Sequence, residues 1–255
     1  MNGKFHLATV RPNIDTAGAT AYDIADLLFD WHPFEIPRGG CSVKSLQMLV
    51  HGTEGADANE FNMELLFAKS INGVAPPSLG TANAAMAVAT NVACKNHIIG
   101  YKFLDGSALV DVGKDLISYN LWADASGDET HNRINMMIEG DPTYAGATAG
   151  YQTIWIAGIA QGAFDFGTGV ILNEADSATL AAGGTAALDV DGVDARIVFA
   201  PGDEVIAQDG ALIGTIKTVD SDVLITLEAV HTDALANDDE ICFRGPIVLN
   251  LGIEY

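Results

Sequence analysis

Basic residues are scarce in this chain. Its 255 residues include 12 Lys+Arg against 34 Asp+Glu, a formal net charge of −22. A nucleic-acid binder needs clustered Lys and Arg to displace counterions from phosphates, so nucleic acid is not an expected partner. Anionic membrane surfaces are disfavoured on the same ground. Cysteine is also sparse: Cys41, Cys94 and Cys242 lie far apart, with no CxxC and no histidine at ligand spacing. That pattern predicts buried free thiols in a chain folded in a reducing cytoplasm, not a disulfide framework. Long apolar runs are missing. The stretch from Ile154 to Ala160 is under half a bilayer span, and no apolar run of signal-peptide type precedes Arg11, so neither a membrane anchor nor a signal peptide is expected.

Catalytic signatures are missing as well. The six histidines (His6, His32, His51, His97, His131 and His231) stand singly, whereas a hydrolytic zinc site usually shows at least two close ligands. They read as surface or strand-end residues. No GxSxG occurs, and Ser118 and Ser126 have no base beside them. Gly167-Thr-Gly169 lacks a third glycine, and no lysine follows Gly183-Gly184-Thr, so phosphate loops are excluded. In Asp189-Val-Asp191-Gly-Val-Asp194 the glycine stands fourth, and Ala200 occupies the position where an EF-hand needs glutamate. The segment reads as an acidic solvated hairpin tip, the alternative being a cation turn of another type at Asp189, Asp191 and Asp194. Glycosidase carboxylate pairs are set by three-dimensional separation and are not legible in so acidic a sequence. The prediction is therefore no enzyme, no catalytic, cofactor or metal residues, and no cofactor.

What is present is a regular texture of short apolar segments. Residues 5–10, 42–50, 62–68, 97–103, 117–122, 135–138 and 153–159 read as strands. Between them lie turn formers such as Arg38-Gly39-Gly40, Asn72-Gly73 and Gly140-Asp141-Pro142, where Gly and Asn accept positive φ and Pro ends ladders. Strands at this spacing predict a sandwich or jelly roll. Two short helices are expected: residues 21–31, where Ile24, Leu27, Leu28 and Trp31 share one helical face, and the Ala-rich residues 81–89. A mean hydropathy of +0.22 argues against disorder.

Residues 171–245 hold 15 Asp+Glu and 3 Lys+Arg, a net of −12. Five strand-like segments follow there in quick succession, at 196–199, 201–206, 211–219, 223–227 and 240–243, predicting a small barrel or compact sheet. The fold class is thus all-β: a jelly-roll-like antiparallel β-sandwich over residues 1–172, plus a small acidic β module over residues 173–245. Residues 246–255 form a last strand that either returns to the sandwich or closes a terminal module. Trp31, Trp122 and Trp155 are assigned to the core; a carbohydrate-binding sandwich would instead show such rings on one face. The loop at residues 52–59 is read as a solvated connection.

The order of segments across residues 1–165 carries a resemblance. It rests on Ser42-Val-Lys-Ser-Leu-Gln-Met, Phe61-Asn-Met-Glu-Leu-Leu-Phe, the Pro76-Pro77 loop, Ile117-Ser-Tyr-Asn-Leu-Trp, Asn135-Met-Met-Ile-Glu-Gly-Asp-Pro and Thr153-Ile-Trp-Ile-Ala-Gly. In this order it resembles small β-sandwich structural proteins of tailed-bacteriophage virions. The resemblance implies a non-enzymatic capsid decoration or cement subunit that stabilises the lattice of the major capsid protein. It further implies a homo-oligomer, trimeric in the family, located in the virion after synthesis in the host cytoplasm. A tail or baseplate subunit fits the same class. The acidic segment resembles the strand-turn-strand additions of such proteins, and its charge would keep particles apart and avoid trapping DNA.

Overall fold

A computed structural model describes residues 3–14, 21–51, 61–86, 92–106, 109–113, 116–123, 133–166, 170–172, 186–231, 234–236 and 238–255. One antiparallel sheet runs in the order β1 (Phe5–Val10), β16 (Ile247–Glu254), β3 (Cys41–His51), β7 (Leu116–Trp122) and β6 (Leu109–Gly113). The short β8 (Met136–Ile138) pairs with the start of β3. A second sheet runs β2 (Leu27–Pro37), β9 (Tyr151–Ala160), β4 (Met63–Lys69) and β5 (Ile98–Leu104). Without β6 and β8 this is the jelly-roll order. The pairs β1–β16, β2–β9, β3–β7 and β4–β5 form one antiparallel ribbon, folded so that alternate pairs fall in opposite sheets.

Period-2 alternation builds the first sheet. Ala8 and Val10 of β1, Leu46, Met48 and Val50 of β3, Ile117, Tyr119 and Leu121 of β7, and Leu249, Leu251 and Ile253 of β16 all point inward. They meet Phe34 and Ile36 of β2, Leu65 and Phe67 of β4, and Ile154 and Ile156 of β9 in one core. The side chains between them face outward.

The helix expected at residues 21–31 is instead the lead-in to β2 and its first part. Leu27 and Leu28 are both buried, but in different clusters: Leu28 joins the core between the sheets, while Leu27, with Leu66, Ala157 and Ile159, packs against Leu79 and Cys94 from the chain between β4 and β5. A strand covered on both faces reads as a continuous apolar run, which imitates a helical stripe over so few residues. Pro33 opposes helix continuation and sits at the sheet edge, where its missing N–H costs no ladder bond. Residues 81–86 are turn and bridge, not helix; 87–89 lie outside the described residues.

The acidic segment closes a ring of six strands: β10 (Val170–Leu172), β11 (Ala187–Asp191), β14 (Leu224–Leu227), β13 (Leu212–Ser221), β12 (Glu204–Ala207) and β15 (Glu240–Phe243), the last pairing back to β10. Leu188, Val190, Val205, Ile213, Ile216, Ile225, Leu227 and Ile241 fill it. Residues 196–199, expected as strand, are mostly helix: α1 (Ala195–Val198) is started by Asp194, whose carboxylate accepts the Arg196 backbone N–H at 3.0 Å. Ala195, Val198 and Phe199 pack into the core of the ring.

β16 is paired on both sides and Leu251 is fully buried. Leu251→Ala should therefore lower unfolding free energy by about 3 kcal/mol, while Thr9→Ala, one strand away but facing out, should cost within about 1 kcal/mol. Urea titrations of the two variants beside the parent check the contrast.

Candidate functional site

The two sheets treat their outer faces differently. Behind the β2–β9–β4 sheet, residues 77–79 are pinned down by Trp31, whose Nε1 donates to Pro77 O at 2.9 Å, and by Asp30, whose Oδ1 accepts from Leu79 N at 3.0 Å. Trp155 donates to Ser70 Oγ at 3.2 Å and meets Tyr144 edge-on at 5.8 Å. These two indoles serve packing, as the sequence suggested. Trp122 does not. It stands at the end of β7, 57% exposed, on the outer face of the other sheet, left uncovered among the described residues.

On that face the register aligns two rows across four strands. Thr9, Asn250, Gln47 and Asn120 lie opposite one another in turn. Their side chains form a continuous chain of hydrogen bonds. Thr9 Oγ1 donates to Asn250 Oδ1 (2.8 Å), Asn250 Nδ2 to Gln47 Oε1 (3.3 Å), Gln47 Nε2 to Asn120 Oδ1 (3.1 Å), and Asn120 Nδ2 to Ser118 Oγ (2.9 Å). Each amide commits one N–H to the ladder and keeps a second. The next row reads Leu7, Gly252, Ser45, Trp122. Gly252 leaves the middle low, and a Cβ there would strike Ser45 Oγ. The result is a depression of about 550 Å³, with Gly252 and Ser45 on its floor and Phe5 and Trp122 as walls. At its end Lys44 Nζ bonds Asn135 Oδ1 at 2.8 Å and lies 3.6 Å from Glu254.

A second constellation lies where the sandwich meets the ring. The Ile14 N–H donates to Arg244 O and the His51 N–H to Pro246 O, at 2.9 and 2.8 Å. The His51 ring meets Phe243 edge-on at 6.1 Å, and its Nδ1 is buried with no hydrogen-bond partner among the described residues. Arg244 pairs with Glu204 at 2.9 Å. Arg11, Asp203 and Glu204 line a cavity of about 160 Å³ here, and Arg11 and His51 line a neighbouring one of about 190 Å³. Burial pushes the Asp203 carboxyl above its ordinary value, opposed by the Ala200 N–H at 2.7 Å and the charges of His51 and Arg11.

The sequence candidates scatter. Asp189 and Asp191 sit on β11, while both carboxylate oxygens of Asp194 are taken by Arg196, at 2.9 and 2.8 Å. Among the described residues no three His, Cys, Asp or Glu side chains converge as a cation site. Histidine placement departs from expectation at His231, which is buried inside the ring segment. The three cysteines are buried free thiols, and burial raises the pKa of Cys41 and Cys94, which keeps them protonated. Ser126, His131, the 52–59 loop and the glycine pairs at 167–169 and 183–184 lie outside the described residues. No protein-family model matches the chain, and no similar sequence is found among curated proteins.

Asp203 gives a pH prediction. A carboxyl whose folded pKa is raised holds a proton that the unfolded chain has already lost, so stability falls as pH rises from the ordinary aspartate value of about 3.9 through the folded value. Asp203→Asn should flatten that fall while keeping an acceptor for Ala200. Urea midpoints measured across this interval, parent against variant, check it; parallel curves would refute it.

Proposed function

We propose that the chain is a non-enzymatic structural subunit of a phage virion, acting as a homo-oligomer that decorates or cements the capsid lattice. The observation that carries the reading is the contrast between sheet edges. β2 is blunted by Pro33 and Pro37, the usual protection against strand addition. β5 and β6, each paired on one side among the described residues, present large apolar groups instead: Tyr101 is 67% exposed, and Val110 and Val112 are exposed as well. Met137 of β8 lines the same groove as Tyr101, with Ile99 and Met136. Such edges are a hazard on a free monomer and contact surfaces on a lattice subunit.

Two further features support the reading. The jelly-roll order is one in which viral shells are built, an argument from architecture alone. The acidic ring segregates charge away from the apolar sandwich edges, suiting a subunit that seats by one module on the major capsid protein and projects the other.

Mass spectrometry of purified particles tests the location. Hundreds of copies per particle support a shell subunit, a handful places it in the tail or baseplate, and absence overturns the proposal. Native mass spectrometry of the isolated chain should show an oligomer that Tyr101→Lys with Val112→Lys dissociates.

A further inference from the structure

We infer that the open face of the β1–β16–β3–β7 sheet is a binding site for a neutral oligosaccharide. Three independent features of that face point to this chemistry.

The first is charge. In a chain of net charge −22, the outward positions of these four strands carry one carboxylate, Glu254, and it is neutralised by Lys44. Phe5, Leu7, Thr9, Ser45, Gln47, Asn120, Trp122, Asn250 and Gly252 make the remainder of the two central rows and their rim uncharged. An ionic partner finds no complement there, whereas a ligand of hydroxyl groups does.

The second is the ladder. Asn250, Gln47 and Asn120 are locked by mutual hydrogen bonds, so their rotamers are fixed before a ligand arrives. Each retains an N–H and a carbonyl lone pair for an outside partner. Planar amides in a row, offering donor and acceptor side by side, match vicinal hydroxyls, which need both at once.

The third is the pair of aromatic walls. Phe5 and Trp122 are 71% and 57% exposed, on strands three inter-strand spacings apart, about 14 Å. Aromatic faces at the ends of a shallow trough stack on the C–H faces of sugar rings, and the low Gly252–Ser45 floor admits the chain between them. Trp122 is held in place through its backbone, its carbonyl accepting from Ile134 N at 3.4 Å, so its ring is presented by a fixed strand end. The site stands independently of the virion proposal: a glycan reader belongs equally to a particle subunit or to a free protein.

The test titrates the intact chain with maltoheptaose, cellohexaose, laminarihexaose and chitohexaose, following tryptophan fluorescence and calorimetric heat. Saturable binding of at least one, insensitive to salt, is expected. Trp122→Ala and Gln47→Ala should each weaken it tenfold or more. Phe5→Ala, at an exposed site with no folding role, should weaken it without moving the thermal midpoint. Failure of all four sugars to bind overturns the assignment. So does binding that survives Phe5→Ala together with Trp122→Ala or Gln47→Ala.

Discussion

The insertion of β16 between β1 and β3 ties the C-terminal strand into the middle of the first sheet. It joins Phe5 to Glu254 and Val10 to Leu249, so nearly the whole chain is closed into one loop. It also pairs Ile247 with Val50 and Gly252 with Ser45. Loop-closure entropy grows only slowly with length, so this closure is affordable, but it is a slow kind of contact to form. Everything between β9 and β16, including the six-stranded ring, is thereby held at both ends by strands of the sandwich.

The same insertion sets the two faces of its sheet. Inward, Leu249, Leu251 and Ile253 complete the core. Outward, Asn250 bridges Thr9 to Gln47, and Gly252 opens the trough between Leu7 and Trp122. A one-residue slip of β16 would exchange these sets, burying an amide and exposing leucines, so the hydrophobic core itself fixes the register of the polar ladder. The opposite sheet uses its outer face for packing, with Leu27 and Leu66 beneath Leu79 of the segment that Trp31 and Asp30 secure. Among the described residues, one face of the sandwich is thus closed by its own chain and the other left open.

Much of the fold was legible. The segments 5–10, 42–50 and 117–122, read as strands, are strands, although in the first it is Ala8 and Val10 that are buried while Phe5 and Leu7 face out. What misled was local. Leu27 and Leu28, buried on opposite sides of one strand, look like a helical stripe until the covering connection is known. Residues 196–199 carry a strand-like run, yet Asp194 caps them into a turn of helix. The open face was less legible, because its meaning lies in cross-strand register. Thr9 and Asn250 are 241 residues apart, and nothing in either neighbourhood marks them as partners. Trp122 was assigned to the core from its apolar strand; its position at the strand end, after an inward Leu121, was the signal that it faces out.

Native-state hydrogen exchange tests the organising role of β16 most directly. The amides of Leu249, Leu251 and Ile253 should exchange only through global unfolding, in the same slow class as those of Leu46 and Met48 on β3. Exchange of the β16 amides at the rate of the one-sided β5 edge, with β3 still protected, would mean that the sandwich stands without its closing strand and would contradict the account.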